Sequence, residues 1–245
     1  MVQFSKIIIN TLSDRPLMYE FVGKTAGSFL RWRAQQCRSP EEFMNLISTV
    51  FKPLGPLGWS VSLQQVPQEI KTLLSIVRQR NVRFMMEIGT RWGGTLFLFS
   101  WTIPSNANIL SLDLPSAESL KRGYDRFKTS YFANFTRRGQ RLTLLRGDSH
   151  NPISLSRTKS ALDGRELDFL FIDGDHTYEG VKKDFEMYSP LVHKGGLVAF
   201  HDICGHDVGV SEVDRYWNEI KGSYRHSEMI ENPKQGWAGI GVIYL

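Results

Sequence analysis

The stretch from Asp168 to Asp202, DFLFIDGDHTYEGVKKDFEMYSPLVHKGGLVAFHD, restricts the fold more than any other part of the chain. It opens on the apolar run Phe169-Leu170-Phe171-Ile172, which Asp173-Gly174 closes. A short uninterrupted apolar run ended by Gly and Asp fits a strand buried on both faces. A polar helix is predicted from Tyr178 to Leu191, and Gly195-Gly196 reads as a turn. Leu197 to Phe200 is then a second buried strand, ending on His201-Asp202. The pattern is strand–helix–strand with an acidic tip after each strand. In open parallel sheets, ligands bind at the carboxyl ends of the strands. Asp173, His176, His201 and Asp202 are therefore the candidates for chemistry.

The same alternation can be followed upstream. Strand one is predicted over Val82 to Ile88, followed by the turn Gly89-Thr90-Arg91-Trp92-Gly93-Gly94 and a helix over Thr95 to Thr102. Strand two, Asn108 to Leu112, ends on Asp113, and a helix over about Ser116 to Asn134 follows. Strand three, Arg141 to Leu145, ends on Gly147-Asp148-Ser149. Ser211 to Ile220 reads as a helix, and two last strands around Arg225 to Glu231 and Gly239 to Tyr244 have no room for a helix between them. That ending predicts an antiparallel hairpin on an α/β, doubly wound, Rossmann-like sheet.

Residues 1–65 read as a helical N-terminal extension and 66–245 as the main domain. A helix is expected over Leu17 to Gln36. Ser39-Pro40-Glu41-Glu42 starts another, with Ser39 as N-cap, Pro40 in the first turn and Glu42 completing a capping box. Pro53 to Gly58 breaks it, and a further helix runs from Pro67 to Arg80 on the stripe Ile70, Leu73, Leu74 and Val77. With 245 residues, 41% of them hydrophobic, the chain can bury a full core. The two cysteines, Cys37 and Cys204, define no disulfide framework, so a reducing, cytoplasmic setting is expected. MVQFSKIIIN does not read as a signal peptide, and no apolar run approaches the roughly 18 residues of a membrane span. The net charge of +5 is spread along the chain. The basic stretch from Lys121 to Arg146 reads as a helix with a charged outer face rather than a nucleic-acid patch.

The glycine turn after strand one lets a nucleotide approach the backbone closely at a helix N-terminus, although a plain tight turn has the same form. Asp113 lies 24 residues beyond Gly89 and can accept hydrogen bonds from both hydroxyls of a ribose; a capping role is the alternative. Asp148 and Ser149 can meet the adenine edge or cap a helix. Asp173 and Asp202 offer hard oxygen ligands suited to Mg²⁺, His201 can supply a third ligand, and a polar rim without metal is the competing reading. His201, Cys204 and His206 raise zinc as a rival. His176 can serve as a general base. Trp92, Trp101, Trp217 and Trp237 are expected in the core.

EIGTRWGG, LSLD, LRGDSH and the long Asp168–Asp202 block resemble the class I S-adenosylmethionine-dependent methyltransferases. More narrowly they resemble the metal-dependent branch of macrocin-type sugar O-methyltransferases and cephalosporin-hydroxylase-like proteins. The resemblance covers Pro67 to Leu245 and implies a seven-stranded, mostly parallel sheet whose last strand is antiparallel. It implies that Glu87, Gly89 and Gly93, with Thr90 between them, line the methionine and ribose part of a cofactor site. Asp113 would then hold the ribose, and Asp148 and Ser149 would lie near the adenine. Asp173, His201 and Asp202 match a site for Mg²⁺ or another divalent ion, with an acid more usual at the His201 position, and His176 matches the base. The implied partner is a small-molecule hydroxyl acceptor, with no nucleic acid and no integral membrane, and with homo-oligomers possible through the extension. A hydroxylase-type oxidoreductase and a non-catalytic binding protein are the alternative functions.

Overall fold

The computed structural model describes residues 16–49, 63–115, 125–205 and 211–245. The Pro53 to Gly58 break, the helix start at Ser116, the basic pair Lys121 and Arg122, and His206 lie outside these. Among the described residues the helices are α1 (Pro16–Ala34), α2 (Pro40–Thr49), α3 (Pro67–Gln79), α4 (Gly94–Thr102), α5 (Arg126–Phe135), α6 (Pro152–Leu162), α7 (Tyr178–Tyr188) and α8 (Val213–Ile220). The strands are β1 (Phe84–Ile88), β2 (Asn108–Asp113), β3 (Arg141–Arg146), β4 (Leu167–Ile172), β5 (Val192–His201), β6 (Arg225–Met229) and β7 (Ile240–Tyr244). No helix among them is long and apolar enough to cross a membrane.

The strands form one seven-stranded sheet in the order β3-β2-β1-β4-β5-β7-β6. β3, β2, β1, β4 and β5 run parallel, whereas β7 pairs antiparallel with both β5 and β6. The expected hairpin is thus present, but its second strand lies inside the sheet and its first forms the edge. Period-two alternation divides the core between the two faces. Phe169 and Phe171 of β4 face the cluster under α1 to α5, while Leu170 and Ile172 face the cluster under α7 and α8.

Three local readings change. Gly195-Gly196 does not turn the chain out of the sheet: Gly195, at φ +93°, lies in a bulge within β5. The β4–β5 register there jumps from Leu167↔Val192 to Phe169↔Leu197. At the start of α2, the Glu42 amide donates to Ser39 Oγ (3.2 Å), but the Glu42 carboxylate accepts from the Arg38 amide (2.6 Å), one residue before the N-cap of a standard box. The helix α6 between β3 and β4 is an addition, started by Asn151, whose side chain accepts from the Ile153 amide, and by Pro152 in the first turn.

The α1 helix lies against α5 at glycine distance. A Cβ on Gly23 would sit 2.6 Å from the Phe127 carbonyl oxygen, and one on Gly27 would overlap that of Tyr131. Gly23 and Gly27, one turn apart, let the two backbones approach. The α5 helix has the charged outer face expected, with Arg126 exposed, but it also buries a cation: Lys128 is buried beside Phe127, Tyr131, Phe132 and Phe135. Lys128 Nζ lies over the Trp92 ring, 4.4 Å from its centre.

Candidate active site

Register brings the acidic tips together. Ile172 of β4 pairs with Ile88 of β1 and with Phe200 of β5. Asp173, Gly89 and His201-Asp202 therefore emerge side by side where β1 and β4 part the two halves of the sheet. A cavity of about 1030 Å³ opens at this edge. Gly89, Thr90, Asp113, Asp148, Ser149, Asp173, His176, His201 and Asp202 all line it. Glu87 and Gly93 are not in its wall but stand behind it.

One half of the cavity is built by β1, β2 and the glycine turn. Gly89 takes φ +86°, and a Cβ there would overlap the carbonyl oxygen of Asp173. Asp113 Oδ2 accepts from the Arg91 amide (2.6 Å) and Oδ1 from the Leu114 amide (2.8 Å), so both carboxylate oxygens are aimed before any ligand arrives. Burial raises the Asp113 carboxyl against the pull of these amides. Behind the turn, Glu87 is fully buried and accepts from Thr90 Oγ1 (2.7 Å) and from Thr95 Oγ1. Burial pushes its carboxyl from its ordinary 4.5 to about 8.

Folded Glu87 thus keeps a proton that the unfolded chain has already released above its ordinary pKa. Its contribution to stability is full below about 4.5, declines as pH rises and is lost beyond about 8. Glu87→Gln should remove that decline, gaining on the parent by up to about 4 kcal/mol between pH 5 and pH 8 in urea unfolding. Parallel stability curves for the two proteins would contradict the buried, protonated state.

The other half is a cluster of two carboxylates and two imidazoles. His201 Nδ1 lies 3.3 Å from Asp173 Oδ1 and 3.2 Å from Asp202 Oδ1. His176 bridges the same acids, with Nδ1 3.2 Å from Asp202 Oδ2 and Nε2 3.5 Å from Asp173 Oδ1. Burial works to raise the Asp173 carboxyl, but the His201 and His176 imidazoles outweigh it and hold the group well below the usual carboxylate range. Burial likewise opposes charge on His201, yet Asp173 and Asp202 lift its pKa to about 10. The bond to Asp173 raises His176 against burial. Asp202 sits at φ +63°, an uncommon conformation for a non-glycine residue and one frequent at functional sites.

Donor atoms of Asp173, His201 and Asp202 all lie within 4.8 Å of one another. Two hard oxygens and one imidazole nitrogen, partly buried and open to a cavity, fit Mg²⁺ or Mn²⁺ and leave positions for substrate oxygens. The zinc alternative finds no thiol here: among the described residues the donor group is Asp173, His201 and Asp202, without Cys204.

Three contributors were not expected. Gln65, from before α3, donates Nε2 to Asp173 Oδ2 (3.0 Å). His150 lines the cavity and pairs through Nε2 with the fully buried Asp184 (3.3 Å); its place next to Asp148-Ser149 was the available signal. Trp237 lines the cavity at 47% exposure, whereas Trp217 is fully buried as expected.

The sheet order, its antiparallel β7 and a cavity at the carboxyl edge of β1, β2, β4 and β5 define a Rossmann-like, doubly wound fold with one antiparallel inner strand. Residues 86–203 match the family model described as a methyltransferase domain. The fold is shared with the O-methyltransferase from Bacillus cereus solved in complex with SAH, at TM-score 0.58 and 17% identity over 87% of this chain and 96% of that one. It is shared too with the O-methyltransferase TomG from Streptomyces achromogenes, solved with SAM, at TM-score 0.56 and 15% identity over 87% and 93%. A stretch of 36 residues is 53% identical to the uncharacterized protein R132 of Acanthamoeba polyphaga mimivirus, covering 15% of this chain and only 16% of that protein's length.

Proposed function

We propose that the protein is an S-adenosylmethionine-dependent O-methyltransferase that acts on a hydroxyl of a small molecule with two neighbouring oxygens, such as a sugar or other natural product, assisted by a divalent cation. The observation that carries this reading is the junction of two half-sites in one cavity. The glycine turn and Asp113 form one, and Asp173, His176, His201 and Asp202 form the other. Residues 66–245 form the catalytic unit in this reading and 1–65 the extension, with Gln65 reaching across the division to Asp173.

S-adenosylmethionine supplies an electrophilic methyl group on its sulfonium. Asp113 receives the ribose hydroxyls on oxygens already fixed by the Arg91 and Leu114 amides. Asp148 and Ser149 border the adenine end. Gly89 keeps the wall low enough for the methionine part to lie against backbone. Asp173, His201 and Asp202 would hold a divalent ion, whose Lewis acidity lowers the pKa of a hydroxyl bound to it. Asp173 and Asp202 also grip His176 by its two nitrogens, which fixes the ring over the site. Acting as base, His176 releases one of these contacts and takes the hydroxyl proton. The walls of the cavity would orient the acceptor against the cofactor, and orientation of this kind supplies much of the rate in such transfers.

Calorimetric titration with S-adenosylmethionine and S-adenosylhomocysteine, with NAD as control, tests the reading. Micromolar binding of the first two and none of NAD is expected. NAD binding without S-adenosylmethionine binding would overturn it. Asp113→Ala removes charge-assisted hydrogen bonds to the ribose and should weaken S-adenosylhomocysteine about 10- to 100-fold. Unchanged affinity would take the ribose role from Asp113.

A further inference from the structure

Positive charge that is scattered in the sequence is gathered in space. A second cavity, of about 940 Å³, is walled by Lys71 and Arg78 of α3, Trp101 at the end of α4, Arg137 and Arg138 after α5, and Arg38 between α1 and α2. These segments lead into the starts of β1, β2 and β3, so the cavity lies at the sheet edge opposite the candidate active site. The described residues that line it include five cations and no acid. The cavity at the carboxyl edge has the reverse character, with Asp113, Asp148, Asp173, Asp175 and Asp202 against the single arginine Arg91.

Local structure accounts for part of this charge. Lys71 pairs with Glu41 (2.9 Å). Arg137 donates Nη1 to the Ile103 carbonyl (3.0 Å) and lies over the Trp101 ring, 6.0 Å from its centre. Arg78 stands in the last turn of α3, where the helix dipole favours a cation. Arg38 has the opposite setting. It directly precedes Ser39, whose Oγ accepts from the Glu42 amide at the start of α2, and the dipole there disfavours a cation. Among the described residues Arg38, Arg78 and Arg138 form no ion pair with a carboxylate, and all three are exposed. A concave surface lined by one sign of charge concentrates ions of the other. Guanidinium forks match phosphate oxygens in particular. The volume is that of a site for a whole organic ligand, and a lone phosphate would leave most of it empty. The floor is apolar: Leu74 is buried there, and the Phe43 and Trp101 rings pack 5.5 Å apart.

We propose that this cavity is a second binding site, for an organic polyphosphate of nucleotide size. Its phosphoryl groups meet Arg38, Arg78 and Arg138, and its apolar body lies on Phe43 and Trp101. The site is separate from the catalytic edge and does not depend on the methyltransferase reading.

The test is calorimetric titration of the full chain with ATP in metal-free buffer, with S-adenosylhomocysteine present to fill the adenosine half-site. ATP should bind the wild type in the micromolar range, and inorganic tripolyphosphate should displace it. Arg38→Gln and Arg138→Gln, both at exposed positions, should each weaken ATP about tenfold and leave S-adenosylhomocysteine affinity unchanged. The wild type carries its own reporter, because Cys37 lines this cavity and is partly exposed whereas Cys204 is buried. ATP at about ten times its Kd should slow alkylation of Cys37 by N-ethylmaleimide about tenfold. Absence of ATP binding, equal affinity in wild type and both variants, or an unchanged rate of Cys37 alkylation overturns the proposal. So does failure of tripolyphosphate to compete. Displacement of ATP by a short single-stranded RNA at far lower concentration than tripolyphosphate would make this edge a nucleic-acid face, which overturns it as well. ATP binding that falls in both arginine variants supports the site even in a chain that does not hold S-adenosylhomocysteine, an outcome that would remove the methyltransferase reading alone.

Discussion

Replacement of His176 by alanine is expected to lower kcat by about 10²- to 10⁴-fold, the usual range for a positioned general base. S-adenosylhomocysteine affinity should stay within about twofold. The separation follows from the geometry. His176 contacts Asp173 and Asp202, whereas Asp113 is held by the Arg91 and Leu114 amides. Its loss removes a proton acceptor and leaves the cofactor half intact. A steady-state comparison on any acceptor that the wild type methylates, together with a binding titration, measures both quantities. A parallel fall in cofactor affinity would show that His176 shapes the cavity instead of serving as base.

Gly89→Ala should be the most damaging small substitution at the site, with a stability loss of about 2–5 kcal/mol in urea unfolding. Two costs add. The residue is held at φ +86°, where an L side chain is strained by roughly 1–2 kcal/mol. The new methyl also overlaps the Asp173 carbonyl oxygen, and overpacking of this kind costs about 1–3 kcal/mol. Relaxation is blocked because the Asp173 amide is tied to the Ile88 carbonyl at 2.9 Å, so the collision pushes on a backbone that carries a site carboxylate. A loss below about 1 kcal/mol would mean that the β1 and β4 tips move apart more freely than their pairing suggests.

The tips of β1, β2, β4 and β5 were legible in the sequence because their signal is local. β2 and β4 are short apolar runs closed by an acid, β5 by His201-Asp202 and β1 by the glycine turn, and the parallel register brings Asp173 level with His201-Asp202. The α6 helix was not legible, since half of its packed face, Ser154, Leu155, Thr158 and Leu162, is small polar residues while Ile153 is 61% exposed. A hydrophobic stripe carried by small polar residues shows no helical period. The burial of Lys128 within the basic stretch from Lys121 to Arg146 was not legible, because nothing near it in sequence announces the Trp92 ring. Gln65 and Trp237 meet the site across more than a hundred residues of chain, through contacts made by Asp173 and Glu69 that no local pattern encodes. The fold was therefore readable from its strand ends, and the site only where single strands build it.

The place of β7 between β5 and β6 has a consequence for how the molecule is made. β6 meets the rest of the sheet only through β7, so until Ile240–Tyr244 is in place β5 is an open edge. That edge is a hydrophobic strand ending on His201, a ready template for pairing with another chain. A polypeptide stalled or cut before Ile240 should thus lose more than a strand: it should present the open edge of β5 to its neighbours and aggregate. Completion of this edge of the site and protection from misassembly are then the same event.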